Sequence, residues 1–269
     1  MKNTNIGFIG AGNMAGSLIQ GLLGRSVPAR NLWACDIDAA RVGALETRYG
    51  INVSTASDIA TRVDLLVLAV KPQVMETVCL DLRESLENNH CAVLSIAAGI
   101  TLARLQGWLG NSSVIRCMPN TPALVGKGAS ALYAGASVSP AQRDQAEQTM
   151  SAVGLTVWLP CEADLDAVTA LSGSGPAYFF LLMESMQETA RSLGLSEETA
   201  HMLTCQTAAG AAELAASSDM DMATLRQQVT SPGGTTEAAI NQLEGGGFRQ
   251  LVHQALTAAY KRSQELAKQ

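Results

Sequence analysis

The sequence predicts an α/β fold: a doubly wound sheet over residues 1–160, followed by an all-helical domain over residues 161–269. Three observations predict it. Short apolar runs alternate with helical patterns through the first half. The first run ends in a glycine-rich turn that opens a helix. From Glu162 onward the apolar period is helical nearly to the end.

The bulk numbers fit two domains. The chain has 269 residues, 47% hydrophobic and 16% charged, with a net charge of −6. That length gives ordinary domains with well-buried cores. The acidic balance argues against nucleic acid or an anionic membrane as partner. The longest apolar runs, Leu65–Val70 and Ala177–Met183, are core-sized and too short to span a bilayer. The first strand is interrupted by glycine, unlike a secretory leader, so a cytoplasmic protein is expected. The six cysteines form no Cys-x-x-Cys pair, so neither a metal site nor a disulfide framework is expected.

Taken in order, Asn5–Ile9 is a strand, Gly10-x-Gly12-x-x-Ala15 a turn, and Ser17–Leu23 a helix. The first glycine makes the tight turn, and the second lets a pyrophosphate approach the backbone. A small third residue lets the helix pack on the strand. A second strand, Asn31–Cys35, ends in Asp36. A carboxylate there accepts from adenosine ribose hydroxyls and repels a 2′-phosphate, which leans to NADH over NADPH. Arg41 in the next helical turn can offset that repulsion. The other reading of Asp36 is a cap for the helix Ala39–Tyr49, a role that Asp38 fits better. Both readings stay open, and with them the choice of NADH or NADPH.

Asp64–Val70 reads as a strand buried on both faces, ending in Lys71-Pro72. Cys91–Ile96 ends in Ala97-Ala98-Gly99, small enough to leave room for a flat ring. Ser113–Cys117 ends before Asn120-Thr121-Pro122. Ligands of open α/β sheets sit outside the carboxyl ends of the strands. Gly10–Met14, Asp36, Val70–Pro72, Ala97–Gly99 and Asn120–Thr121 should therefore line one crevice that holds a dinucleotide. Lys71 either touches the nucleotide or, with Pro72, only ends the strand. Weaker strands, Ala129–Tyr133 and Leu155–Leu159, flank a polar helix, Pro140–Val153.

Helices are then predicted at Asp164–Leu171, Ala177–Leu193, Glu197–Ala216, Met222–Val229, Thr236–Glu244 and Gln250–Lys268. Ala177–Leu193 is apolar on most sides and needs cover, which predicts dimerisation through this half. Before the fifth of these helices stands Ser231-Pro-Gly-Gly-Thr-Thr-Glu237, a Pro-Gly-Gly loop with Thr235 or Thr236 as cap. Such a start presents free N–H groups and a partial positive charge, which suits an anion. The plainer reading is a capped turn between two helices.

The chain resembles the pyrroline-5-carboxylate reductase family over nearly its whole length. The likeness is carried by Gly7-Phe-Ile-Gly-Ala-Gly-Asn-Met, Ala69-Val-Lys-Pro, Ser95-Ile-Ala-Ala-Gly, Arg116-Cys-Met-Pro-Asn-Thr-Pro, the Asp166–Tyr178 segment and Thr230-Ser-Pro-Gly-Gly-Thr-Thr. The resemblance implies a Rossmann-type domain and a C-terminal dimerisation domain. It implies hydride transfer from NADPH or NADH to the C=N carbon of 1-pyrroline-5-carboxylate, giving L-proline. It places the nucleotide along Ile9, Gly10, Ala11, Gly12, Asn13, Met14, Ala69, Val70, Lys71 and Pro72. It places the substrate carboxylate at Ser231, Gly234, Thr235 and Thr236, with the Thr236 hydroxyl near the ring nitrogen. Glu162 matches a substrate-pocket position. Members usually form a dimer with interlocked helical domains, and often a decamer. Asp36 departs from the small or basic residue that many NADPH users carry there.

The chemistry is coherent without the family. Reduction of a ketone needs a positioned proton donor. Between Lys127 and Lys261 the chain has no lysine, which speaks against the related β-hydroxyacid dehydrogenases. A protonated cyclic imine accepts hydride without an acid in the same step, so positioning and electrostatics suffice.

Overall fold

The computed structural model describes residues 4–87, 89, 91–110 and 113–268. Eight strands form one sheet: β1 Ile6–Ile9, β2 Leu32–Cys35, β3 Asn52–Val53, β4 Leu65–Leu68, β5 Ala92–Ser95, β6 Ser113–Met118, β7 Gly128–Ala134 and β8 Gly154–Trp158. Their order is β3-β2-β1-β4-β5-β6-β7-β8. Strands β1 to β6 run parallel. β7 is antiparallel to β6 and parallel to β8. The order reverses at β1, which lies between β2 and β4, so a crevice opens beyond the carboxyl ends of those strands.

Side-chain alternation builds the two outer layers. Leu65 and Val67 of β4 join a core with α1 (Asn13–Gly24), α2 (Ala39–Tyr49) and α6 (Pro140–Ser151). Leu66 and Leu68 join the opposite core with α3 (Ala56–Arg62), α4 (Met75–Glu87) and α5 (Leu102–Leu109). All four residues of β4 are buried, which explains its unbroken apolar run.

Several boundaries differ from those expected. The first helix begins at Asn13 rather than Ser17, because Gly12 already serves as its N-cap. Three elements were not expected: β3 with two residues and α3 with seven are too short to show a period, and α5 went unpredicted although Leu102, Leu105 and Leu109 share one face. The expected helix Asp164–Leu171 splits into α7 (Asp164–Val168) and a wider π-type turn, Thr169–Gly173. Ser174 N–H reaches back to Thr169 C=O at 2.8 Å to close it. Met118 packs on Gly173 in this turn, its Cε 2.4 Å from where a Cβ would stand.

The remaining helices are α8 (Gly175–Ser192), α9 (Glu197–Ser217), α10 (Met222–Gln228), α11 (Thr235–Gly245) and α12 (Phe248–Lys268). The chain divides into two compact units, Met1–Ser174 with Ala259–Gln269, and Gly175–Ala258. The sheet ends at Trp158, beside the expected boundary after residue 160, but the sheet unit continues through α7 and takes in the end of α12. Ser263 of α12 donates to Asp166 Oδ1 at 2.6 Å, and Leu266 packs on Gly99. Within the second unit, α8 buries only Gly175.

Candidate active site

In the first unit the crevice is built around the turn after β1. Gly10 has φ +101°, and an added Cβ would stand 2.7 Å from the Ala69 carbonyl oxygen. No other residue fits there. Its N–H donates to Cys35 C=O at 2.8 Å, and Ala69 N–H donates to Ile9 C=O at 2.8 Å, so β1, β2 and β4 deliver their ends to one place. Gly12 is different. Its φ is −72° and an added Cβ would meet nothing within 4 Å. It faces open space in front of α1, whose N-terminus has no side-chain cap. Ala15 is fully buried under the helix. An open, uncapped helix N-terminus behind a tight glycine turn fits a pyrophosphate.

Asn13 and Met14 belong to the first turn of α1. Ala11 N–H is taken by Asp36, whose Oδ2 accepts it at 2.6 Å. Asp36 Oδ1 accepts from Asp38 N–H at 2.9 Å. Asp38 caps α2, accepting from Ala40 and Arg41, and pairs with the Arg41 guanidinium at 3.2 Å. The cap role therefore falls to Asp38, and Asp36 faces the glycine turn. Ile37 between them is wholly exposed at 105%. Its sequence signal was an aliphatic residue flanked by two carboxylates, and it went unread.

Beyond β4, Val70 and Pro72 are half-buried and Lys71 is exposed, heading a short 3-10 turn with no side-chain cap bond. After β5, Ala97 is buried and Gly99 has φ +75°. At Gly99, Leu266 Cβ lies 3.1 Å from where a Cβ would be. After β6, Asn120 uses both ends of its amide internally. Nδ2 donates to Ser172 C=O at 3.1 Å, and Oδ1 accepts from Ala129 N–H at 2.8 Å.

Glu162 lies in the first unit, just after the sheet. Its Oε1 accepts from Leu102 N–H and from Arg116, each at 2.6 Å. It ties the start of α5 to β6. Neither partner was apparent from spacing, because the contacts join positions 60 and 46 residues apart.

In the second unit, Ser231–Gly234 forms a turn in which Gly234 N–H donates to Ser231 C=O at 3.0 Å and Gly233 has φ +71°. Proline at the second position and glycine with positive φ at the third make it type II. Gly234 is the N-cap of α11, not Thr235 or Thr236 as expected, because the turn delivers the chain one residue early. There is no side-chain cap bond. Instead Glu237 Oε2 reaches back to Gly233 N–H at 2.8 Å. The N–H groups of Thr235 and Thr236 then head the helix without an intrahelical acceptor.

Four of the thiols are held protonated by burial. Burial pushes Cys35 up to about 11 and Cys79 and Cys91 to about 12, and drives Cys117 higher still. Cys205 Sγ lies 3.8 Å from His201 Nε2, one turn apart on α9. His90 lies outside the described residues. Among those described, no three His, Cys, Asp or Glu side chains gather as a metal site, and no helix is long and apolar enough to cross a membrane.

Comparison with known proteins covers both regions. Residues 162–266 match a family model described as pyrroline-5-carboxylate reductase dimerisation. Residues 5–99 match one described as NADP oxidoreductase coenzyme F420-dependent. The pyrroline-5-carboxylate reductase of Pseudomonas aeruginosa is 54% identical, over 100% of this chain and 99% of its own. This chain belongs to the pyrroline-5-carboxylate reductase family. The Pasteurella multocida reductase is 41% identical over 100% of this chain and 99% of its own. The solved family member from Coxiella burnetii superposes with a TM-score of 0.95 at 42% identity, covering 99% of both chains. That from Plasmodium falciparum, solved with NADP bound, gives 0.86 at 28% identity, covering 99% of both.

Proposed function

We propose that this chain is a pyrroline-5-carboxylate reductase, making L-proline from 1-pyrroline-5-carboxylate in the last step of proline biosynthesis. The observation that carries this is the Ser231–Gly234 turn feeding the uncapped N-terminus of α11, in a chain alike from end to end to reductases of that name. NADH or NADPH supplies the hydride when bound. Gly12 and the first turn of α1 would hold its pyrophosphate, with Ile9–Met14 and Ala69–Pro72 along its length. The N–H groups of Thr235 and Thr236 receive the substrate carboxylate, aided by the helix dipole. The Thr236 hydroxyl orients the ring nitrogen. The imine arrives protonated, so hydride addition to carbon completes the amine and no side chain has to deliver a proton in that step. Ser231 and Gly234 shape the turn. The protein acts in the cytoplasm as a dimer through its C-terminal helices, with a decamer as a higher assembly.

The test follows loss of reduced-nicotinamide absorbance with purified protein. Oxidation with pyrroline-5-carboxylate and none with open-chain 2-keto or 3-hydroxy acids is expected. The reverse pattern would make this a carbonyl reductase on the same scaffold.

A further inference from the structure

Asp36 stands at the carboxyl end of β2 with both oxygens held. Oδ2 accepts the Ala11 N–H at 2.6 Å, a bond from the end of β2 to the glycine turn, and Oδ1 accepts the Asp38 N–H at 2.9 Å. The two bonds leave the carboxylate little freedom to swing away. They do not exhaust it, because an ionised carboxylate offers about four lone-pair directions. Among the described residues no cation pairs with Asp36. Asp38 adds a second carboxylate, and Arg41, the cation in the next turn, is already paired with Asp38 at 3.2 Å. From Asp36 to Ala40 the chain carries no basic residue. Ile37, between the two carboxylates, presents its whole side chain to solvent.

We infer that Asp36, fixed by Ala11 and Asp38, selects NADH against NADPH, and that Ile37 beside it is the apolar platform for the adenine. The inference rests on the reading of this chain as a nicotinamide-dependent reductase. The free lone pairs accept ribose hydroxyls. A 2′-phosphate would bring about two negative charges toward a carboxylate that cannot retreat. The Plasmodium falciparum relative was solved with NADP bound, so the fold itself admits a 2′-phosphate. Asp36 also holds the glycine turn, and the two roles separate by substitution.

The test is calorimetric titration of the full-length protein with NADH and with NADPH, without imine. NADPH should bind the wild type at least about tenfold more weakly, with the gap narrowing as salt rises. Asp36→Asn keeps an oxygen for the Ala11 N–H and removes the charge. It should bring the two affinities within about threefold of each other, one polar contact's worth or less. Asp36→Ser should shift the ratio the same way and also lower the melting temperature, since Ala11 loses its partner. Ile37→Ser should weaken both coenzymes alike and leave their ratio unchanged. Wild type binding NADPH as tightly as NADH overturns the inference. So does a ratio unmoved in folded Asp36→Asn. Because no turnover is read, a protein that discriminates the coenzymes yet reduces no imine would sink the proposed reaction and leave this selection standing.

Discussion

Glu162 receives an N–H and a guanidinium on the same oxygen, and its partner Arg116 has only 11% of its side chain exposed. A carboxylate so engaged orders its surroundings. Removing it strands a nearly buried cation, which costs more than the pair itself contributes. Glu162→Ala should lower unfolding free energy by about 2 kcal/mol, while Glu162→Gln, which keeps the Leu102 bond, should lose less. Chemical denaturation checks this. A raised KM with unchanged stability would instead make Glu162 a direct substrate contact. Thr236 is the opposite kind of residue. Its side chain caps nothing, and the turn before it is complete without it. Thr236→Ala should therefore leave the melting temperature alone and cut kcat/KM by about tenfold or more. An unchanged kcat/KM would remove the hydroxyl from the site.

At the scale of elements, the two glycines of the first turn should respond in opposite ways. Gly10→Ala sets a methyl 2.7 Å from the Ala69 oxygen at φ +101°, so folding itself should weaken, by about 2 kcal/mol or more. Gly12→Ala meets no atom and strains no dihedral, so its melting curve should match the wild type while nucleotide affinity falls. Equal affinity in Gly12→Ala would move the pyrophosphate elsewhere. The strands that position this turn were legible because burial on both faces forces an unbroken apolar run, as in Leu65–Leu68. Two-residue β3 and the seven-residue α3 were not, because neither is long enough to show a period. The Ser231 loop was legible as Pro-Gly-Gly, yet the cap residue was misjudged. Which residue caps depends on the turn's hydrogen bond, Gly234 to Ser231, and composition leaves that undetermined. The Glu162–Arg116 pair left no local trace, since only the folded sheet brings those positions together.

At the scale of the molecule, the second unit leaves too much apolar surface in water for a lone chain. Phe179, Phe180 and Leu181 of α8 are each more than 60% exposed, and successive residues on a helix point in different directions. Helix α8 therefore lacks cover on several sides at once, which scattered surface leucines do not explain. The same unit carries a concavity of about 520 Å³, lined by Met222, Ile240, Leu243, Phe248 and Val252 together with the charged Arg226, Glu244 and Arg249 and with His253. The dimerisation match spans both features. A second copy can cover α8 of the first while the first covers α8 of the second, the reciprocity that two-fold symmetry requires. Sedimentation should then give at least twice 28.1 kDa at every concentration where the protein is folded. Phe180→Asp would place a charge in the proposed interface, and burying it unpaired costs several kcal/mol. That variant should sediment as a monomer or aggregate, with the sheet unit still binding nucleotide. A wild-type chain sedimenting at 28.1 kDa, with α8 bare in solution, would remove dimerisation from the proposal and leave the exposed aromatics to be explained by another partner.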